Sequence, residues 1–215
     1  MNDLIPIPFA GVPLEFGDRG EPLIVLLHDY FGRLPWLVNY ANTLARIGFR
    51  VVVPDLYNGV ATENPESAEA LMGSLDIATS LAIIDDVIRD ARDDGTHRSG
   101  TIGFSMGGWL ALLHAQGGSV DAVVAYYATL QPAEHGVIPC PVLLNLAERD
   151  EWGEDADPES FVSRLKEHGT PVTEHSYLAT VHSFANASIF DGFDADAAAL
   201  AFARSAAFLE DQLAD

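Results

Sequence analysis

The chain alternates between short apolar runs and longer amphipathic stretches. The apolar runs have the length of β-strands and are nearly continuous, as in strands that are buried on both faces of a parallel sheet. These runs are Leu23–Leu27, Val51–Val53, Thr101–Phe104, Ala122–Tyr126 and Val142–Leu146. The stretches with helical periodicity are Leu34–Ile47, Leu75–Arg92, Met106–Gln116, Pro158–Glu167 and Ala195–Leu213. Strands and helices are therefore expected to alternate along most of the chain.

This alternation favours an α/β fold, with a mostly parallel sheet, right-handed crossovers and helices on both faces. In open sheets of this type, ligands bind beyond the carboxyl ends of the strands. Functional loops are therefore expected after Leu27, Val53, Phe104 and Leu146. The 215 residues contain no repeat and no segment with the composition of a linker, so we expect a single domain over residues 1–215.

A Gly-x-Ser-x-Gly pentapeptide, Gly103 to Gly107, lies between a predicted strand and a predicted helix. This context is typical of a nucleophile elbow. A serine on such a tight turn has a strained backbone, and glycine two positions to either side avoids collisions. The Ser105 hydroxyl would lie at the positive end of the helix, with the Met106 amide as one donor to an oxyanion. The alternative is a turn in which Ser105 only caps the helix, but the flanking strand and apolar helix favour a nucleophile.

A serine nucleophile needs a base and a group that orients the base. In α/β-hydrolases the chain order is serine, then the acid, then histidine. Asp150 directly follows a predicted strand, and we favour it as the acid, with Asp155 as the alternative. His182 lies just beyond a further predicted strand, Val172–Tyr177, where the base is expected. The sequence thus predicts a catalytic triad of Ser105, His182 and Asp150.

Charge and composition argue against several classes of function. The 32 acidic and 11 basic side chains give a net charge of −21, which would repel nucleic acids and anionic membrane surfaces. Either a bias towards GC-rich codons or adaptation to high salt would explain this acidity. The single cysteine, Cys140, cannot form an internal disulfide, and no Cys/His cluster has zinc-ligand spacing. With no pattern of a signal peptide or membrane span, we expect a cytoplasmic protein that holds no metal.

Four motifs together resemble those of the dienelactone hydrolase family of the α/β-hydrolase superfamily. They are Leu27-His28-Asp29-Tyr30-Phe31-Gly32, Val53-Pro54-Asp55-Leu56-Tyr57, Gly103-Phe104-Ser105-Met106-Gly107-Gly108 and His182-Ser183-Phe184. The serine motif marks only the superfamily, whereas the Pro-Asp-Leu-Tyr and His-Ser-Phe motifs are specific to the family. The resemblance runs from about residue 23 to the last predicted helix. It implies an α/β-hydrolase fold without a large lid domain, hydrolysis of an ester or lactone, and no metal or organic cofactor.

The resemblance also implies roles for individual residues. It assigns the triad positions to Ser105, Asp150 and His182, and it assigns the oxyanion hole to the backbone amides of Tyr30 and Met106. The nucleophile turn and the chain order independently indicate Ser105, Met106, Asp150 and His182, whereas Tyr30 is implied by the resemblance alone.

Two departures from the family pattern change the expected substrate. The best-known lactonases of the family use a cysteine nucleophile with a glutamate near it, where this chain has Ser105 and Asp29. They also hold a substrate carboxylate with two arginines. Here Ala185-Asn186 follows the His-Ser-Phe motif, and Asn58–Gly73 contains no arginine. A neutral or weakly polar ester is therefore expected, processed by the ordinary serine-esterase route rather than through a thiolate.

The expected function is carboxylic-ester hydrolysis through an acyl-enzyme. A thioesterase or another acyl hydrolase with the same triad is the alternative within enzymes, and a non-catalytic binding protein is the alternative outside them. Asp29, Phe31, Trp36 and Tyr57 are expected to line the substrate pocket. The aromatic residues could equally pack between helix and sheet, and packing is the favoured expectation for Trp109 at the start of the nucleophile helix. Asp29 would either tune His182, meet a polar substrate group or only form a turn. The oligomeric state stays open.

Overall fold

The protein is organised around a seven-stranded sheet in a computed structural model that describes residues 3–150 and 157–214. In chain order the strands of the protein are β1 (Leu4–Pro6), β2 (Leu14–Phe16), β3 (Leu23–Leu27), β4 (Arg50–Val53), β5 (Val60–Thr62), β6 (Ser99–Phe104), β7 (Ala122–Tyr126), β8 (Val142–Arg149) and β9 (Val172–Val181). Of these, β1 and β5 pair as a separate antiparallel sheet, and the others form the seven-stranded sheet. Its helices are α1 (Pro35–Arg46), α2 (Pro65–Gly73), α3 (Ile77–Asp93), α4 (Met106–Ala115), α5 (Pro158–Glu167) and α6 (Ala195–Leu213).

The order of the strands places a crevice at the middle of the sheet. The order is β2-β4-β3-β6-β7-β8-β9, and every pair is parallel except β2 with β4. The chain moves outward from β3 to β4 and then returns to place β6 on the other side of β3. This reversal makes the carboxyl ends of β3 and β6 a topological switch point, where α/β folds bind ligands.

Helices cover both faces of the sheet, as the alternation of strands and helices predicts. Successive side chains of a strand point to opposite faces. In β3, Ile24 and Leu26 join a core cluster with α1 and α6, whereas Leu23, Val25 and Leu27 join a second cluster with α3, α4 and α5. All five β3 side chains are fully buried, which explains the continuous apolar run. The predicted α/β fold with a mostly parallel sheet is confirmed.

The structure contains elements that the sequence pattern does not reveal. Strands β1, β2 and β5 have three residues each, too few to establish a periodicity. The predicted helix Leu75–Arg92 begins instead at Ile77, capped by Asp76, and a separate helix, α2, precedes it. In α6, Leu200 is exposed, and the helix packs through Ala201, Leu209 and Leu213.

Among the helices formed by residues 3–150 and 157–214, none combines the length and the apolar character that a transmembrane span requires.

Close backbone contact brings β3, β6 and α4 together. A β-carbon on Gly103 would overlap the carbonyl oxygen of Gly107. A β-carbon on Gly107 would overlap the carbonyl oxygen of His28 and would lie 2.6 Å from that of Leu27. Because every obstructing atom belongs to the backbone, no side-chain rotation could relieve these overlaps. Both glycines are therefore required where the sequence analysis placed them.

We expect Gly103→Ala to lower the free energy of unfolding by about 3 kcal/mol or more, because overpacking here must displace backbone rather than side chains. Urea unfolding would measure the change. Gly73→Ala is the matched control, because a β-carbon there meets no heavy atom within 4 Å. At the end of α2, alanine should leave stability unchanged or raise it by up to about 1 kcal/mol. Equal stability of the two variants would contradict this account of the turn.

Candidate active site

Ser105 occupies a strained turn between β6 and α4. Its φ of 51° and ψ of −116° lie in a region that side-chain-bearing residues rarely adopt. The amide of Ser105 donates to the carbonyl oxygen of Tyr126 at the end of β7, and its own carbonyl accepts from Trp109 one turn into α4. The strand–turn–helix context expected for a nucleophile elbow is thus present, and backbone strain of this kind concentrates at functional sites.

The structure brings Ser105, His182 and Asp150 into one chain of hydrogen bonds. Ser105 Oγ lies 2.7 Å from His182 Nε2, and His182 Nδ1 lies 2.8 and 3.0 Å from the two carboxylate oxygens of Asp150. An ionised carboxylate can only accept, so His182 Nδ1 carries the proton and donates it. Nε2 is then the acceptor for the Ser105 hydroxyl. Both side chains are more than four-fifths buried, with 12% exposure for His182 and 18% for Asp150.

The pairing of β8 with β9 explains why Asp150 and His182 meet. Arg149 and Val181 are partners in this parallel pair, after a register shift that begins at Ala147. Asp150 directly follows Arg149, and His182 directly follows Val181, so the two residues lie side by side just beyond the ends of the paired strands. His175, by contrast, is paired with Asn145 further down the same ladder. Asp155, the alternative acid, lies outside the described residues.

The predicted oxyanion donors lie on two segments that are in direct contact. Met106 N is the first amide of α4, which has no carbonyl partner within the helix. The approach of Gly107 to the carbonyls of Leu27 and His28 holds this helix start against the turn that contains Tyr30. The two segments can therefore present amides to the same point beside Ser105, which is the arrangement an oxyanion hole needs.

Beside Ser105 and His182 lies a cavity of about 540 Å³ with mostly apolar walls. Its described lining consists of Met72, Gly73, Leu75, Ile77, Ser105, Met106, Trp109, Tyr127, Ala128, Thr129, Gln131, Glu134, Leu146, Ala147, Asp150, Pro158 and His182. The end of α2, the start of α3 and the loop after β7 thus supply walls that the sequence analysis did not predict. The one sequence signal was the Tyr126-Tyr127 pair at the end of a buried strand.

The four residues expected to line the pocket lie elsewhere, because the turns after β3 and β4 direct their side chains into the core. Asp29 is fully buried, and Phe31 is 2% exposed. The Trp36 ring packs edge-on against Phe104 at 4.8 Å. Tyr57 is buried as well, and its hydroxyl lies 3.2 Å from the sulfur of Met106, behind the wall. None of them is among the described lining residues.

Two aromatic residues line the cavity instead. Trp109, for which packing between helix and sheet was the favoured expectation, is only partly buried there. Tyr127 has a positive φ of 39°, and this unusual backbone turns its ring edge-on towards His182, with 4.9 Å between ring centroids. The Tyr127 ring therefore limits the positions open to the imidazole.

Comparison with known proteins identifies the family of this chain. The model of the dienelactone hydrolase family matches residues 13–213. The chain belongs to the dienelactone hydrolase family. It is 29% identical to the carboxymethylenebutenolidase of Pseudomonas putida over 202 residues, 87% of this chain and 85% of that one. It is 26% identical to protein usf of Aquifex pyrophilus over 210 residues, 90% of each chain.

Solved structures confirm the α/β-hydrolase fold. A dienelactone hydrolase-like promiscuous phosphotriesterase from metagenomic libraries has a TM-score of 0.75 at 20% identity, over 91% of this chain and 88% of that one. A bacterial brefeldin A esterase has a TM-score of 0.68 at 17% identity, over 99% and 78% of the two chains. As a member of the dienelactone hydrolase family, the protein is a hydrolase that acts on ester bonds.

In this member of the family, Asp29 is a buried carboxyl group near His182. Asp29 Oδ1 accepts from the amide of Phe31 at 3.0 Å, and Oδ2 accepts from the side-chain amide of Asn186 at 2.7 Å. Burial raises the pKa of Asp29 to about 6, and the two hydrogen bonds and His182 oppose that rise. Asp29 was expected to form a turn, to tune His182 or to meet a polar substrate group. The structure shows the turn, together with an electrostatic interaction between Asp29 and His182.

His28, the neighbour of Asp29, is fully buried and neutral at physiological pH. Burial lowers its pKa from 6.5 to about 4. Nδ1 lies 2.7 Å from the carbonyl oxygen of Asp29, and Nε2 lies 3.2 Å from the amide of Leu56. Because these partners are an acceptor and a donor, the neutral tautomer with the proton on Nδ1 satisfies both. His28 thereby connects the turn after β3 to the loop after β4.

Neutral His28 should make the stability of the protein sensitive to acid. Below pH 6.5 His28 binds a proton in the unfolded state, whereas in the folded state it binds one only near pH 4. The contribution of neutral His28 to the free energy of unfolding is therefore lost as the pH falls through this window. We expect the free-energy advantage of wild type over His28→Gln to shrink by about 3 kcal/mol between pH 7 and pH 4. Glutamine retains an acceptor for Leu56.

Urea unfolding at several pH values would measure this advantage. His97→Gln is the control, because His97 is exposed. The difference in free energy of unfolding between wild type and His97→Gln should change much less over the same pH range. A constant difference between wild type and His28→Gln from pH 7 to pH 4 would contradict the assignment of His28 as a buried neutral group.

Proposed function

We propose that this protein hydrolyses small, neutral or weakly polar carboxylic esters with Ser105 as nucleophile, His182 as general base and Asp150 as the group that orients His182. The observation that carries the proposal is the hydrogen-bonded series from Ser105 Oγ to His182 to Asp150, at 2.7 and 2.8 Å, beside an apolar cavity. These distances lie within the range that proton transfer between a nucleophile and its base requires.

The reaction follows from this arrangement in two halves. His182 Nε2 takes the proton of Ser105 as its oxygen attacks the ester carbonyl, and the amides of Tyr30 and Met106 stabilise the oxyanion. The imidazolium, stabilised by Asp150, then gives the proton to the leaving alcohol and leaves an acyl-serine. In the second half His182 activates a water that releases the acid and restores the serine.

The charge of the cavity supports neutral substrates over anionic ones. Neither lysine nor arginine occurs among its described lining residues, whereas Glu134 and Asp150 both contribute carboxylates. A carboxylate on the substrate would enter this site without a cationic partner and would lose its hydration. Lactones and thioesters of similar polarity remain compatible with the same triad. Specificity constants for matched oxygen esters, thioesters and lactones would rank the three classes.

We expect Ser105→Ala to lower kcat for 4-nitrophenyl butyrate by about 10⁴-fold or more, because the acyl-enzyme route loses its nucleophile. Release of 4-nitrophenolate measures the rate. Unfolding by urea should be unchanged or slightly harder, since the hydroxyl makes no packing contact in the core. Wild-type turnover by the alanine variant would contradict the mechanism.

We also expect a fluorophosphonate probe to label wild-type protein at Ser105, because such probes react with serines that an adjacent base activates. Peptide mass mapping locates the adduct. His182→Ala should abolish labelling. His175→Ala, which changes the preceding histidine of the sequence within β9, should not change the rate of labelling. Rapid labelling that persists without His182 would show that another group activates the serine.

A further inference from the structure

The cavity holds a second carboxylate, which the triad does not use. Glu134, in the loop after β7, lies on the cavity lining together with Ser105. The proposed reaction assigns it no role. Its position is nevertheless fixed, because Glu134 Oε2 accepts from the indole Nε1 of Trp109 at 3.2 Å and from the amide of Gln131 at 3.1 Å. The loop itself is anchored by Gln116, whose side-chain amide donates to the Glu134 carbonyl oxygen.

No positive charge neutralises this carboxylate within residues 3–150 and 157–214. The ion pairs of that part of the chain do not include Glu134. Arg164, which reaches the same loop, instead donates through Nε to His135 Nδ1 and through an Nη to the carbonyl oxygen of Leu130. Both donors to Glu134 engage Oε2, so Oε1 retains its capacity to accept. Within the described residues, Glu134 thus lies on the cavity lining without an ion-pair partner, and its two donors both use Oε2.

We propose that Glu134 and Trp109 form a subsite for an alkylammonium group carried by the ester substrate. An indole ring attracts a cation to its face, and a carboxylate next to the ring adds a full negative charge. Both groups lie on the lining of one cavity, and the hydrogen bond between them keeps them together. Most of the other described lining residues are apolar, which suits the methyl groups or alkyl chain of such a substrate.

The spacing in the fold fits one extended substrate. Trp109 lies one turn after Ser105 in α4, about 6 Å further along the helix axis. A carbonyl at Ser105 and an ammonium group at Trp109 would thus be separated by a short chain of three or four atoms. The inference rests on the proposed function, and it adds a charged subsite to the apolar cavity without excluding neutral esters.

Three 4-nitrophenyl esters with acyl chains of matched length test the subsite. They are the 4-(trimethylammonio)butanoate, its neutral isostere the 5,5-dimethylhexanoate, and the anionic hydrogen glutarate. At low ionic strength we expect wild type to show a kcat/KM for the cationic ester about five- to tenfold above that for the neutral isostere, with the glutarate below both. The uncatalysed rate of each ester is subtracted, since the substituents differ in their effect on it.

Glu134→Gln is the decisive variant, because glutamine keeps an oxygen that accepts from Trp109 and Gln131 while it removes the charge. The ratio of kcat/KM between the cationic and neutral esters should fall to about one third or less of its wild-type value, and the relative rate of the glutarate should rise. Glu210→Gln is the matched control. Glu210 is an exposed residue of α6, whose Leu213 packs on Gly100 at the end of β6 remote from Ser105.

The outcomes separate the subsite from the reaction itself. An unchanged ratio in Glu134→Gln, or a wild-type preference for the neutral isostere, would overturn the subsite while ester hydrolysis stands. A ratio that falls equally in Glu210→Gln would assign the preference to overall charge and would overturn the subsite as well. Failure of wild type to hydrolyse all three esters would reject the proposed function together with the subsite.

Discussion

The contact between the start of α4 and the end of β3 is the constraint on which the candidate site depends. Gly107 lies so close to the carbonyls of Leu27 and His28 that only a hydrogen atom fits in place of a side chain. This approach brings the first amide of α4 to the turn after β3, and it turns the Ser105 side chain out of the sheet. The strained φ of Ser105 is the cost of that geometry, and the surrounding sheet is rigid enough to impose it. A helix start even one ångström further away would separate the two proposed oxyanion donors.

The elements that the sequence predicts are those whose signals are local. A strand buried on both faces has a continuous apolar sequence, so the sequence predicts β3 and β6. A turn that tolerates only glycine contains glycine, so the sequence also predicts the turn at Ser105. The sequence identifies Asp150 and His182 as candidates because each directly follows a strand. It does not predict that the two side chains are in contact, because this contact depends on the pairing of Arg149 with Val181 after a register shift. Tertiary pairing of this kind has no local signature.

The four residues expected at the pocket are absent from its described lining for the same physical reason. Phe31, Trp36 and Tyr57 follow strand ends, which suggested a place at the cavity, but large apolar side chains gain more from full burial than from a place on a wall. The described walls that the sequence did not predict come from α2, the start of α3 and the loop after β7. They reach the site through tertiary packing, for example of α3 against β3 and of α2 against β5. A single sequence carries no local record of such packing.

The net surface charge and the individual charges at the candidate site have different effects. Only the charges at the site can influence which small substrate binds. The net charge of −21 is spread over the surface, where salt screens interactions beyond about 8–10 Å. It can repel polyanions, but it cannot select among small esters. Within the site the balance is set by individual groups. Asp29 is buried and is held by a backbone amide and by Asn186 rather than by an arginine. Glu134 lies on the cavity lining, and no lysine or arginine is among the lining residues that the structure describes. A carboxylate on the cavity wall is much closer to a bound ester than most surface charges are, so its field acts on that ester more strongly than the distant surface charge does. Under the proposed function and subsite, the polarity of the substrate depends on an individual carboxylate, Glu134, which the composition does not distinguish from the other acidic side chains.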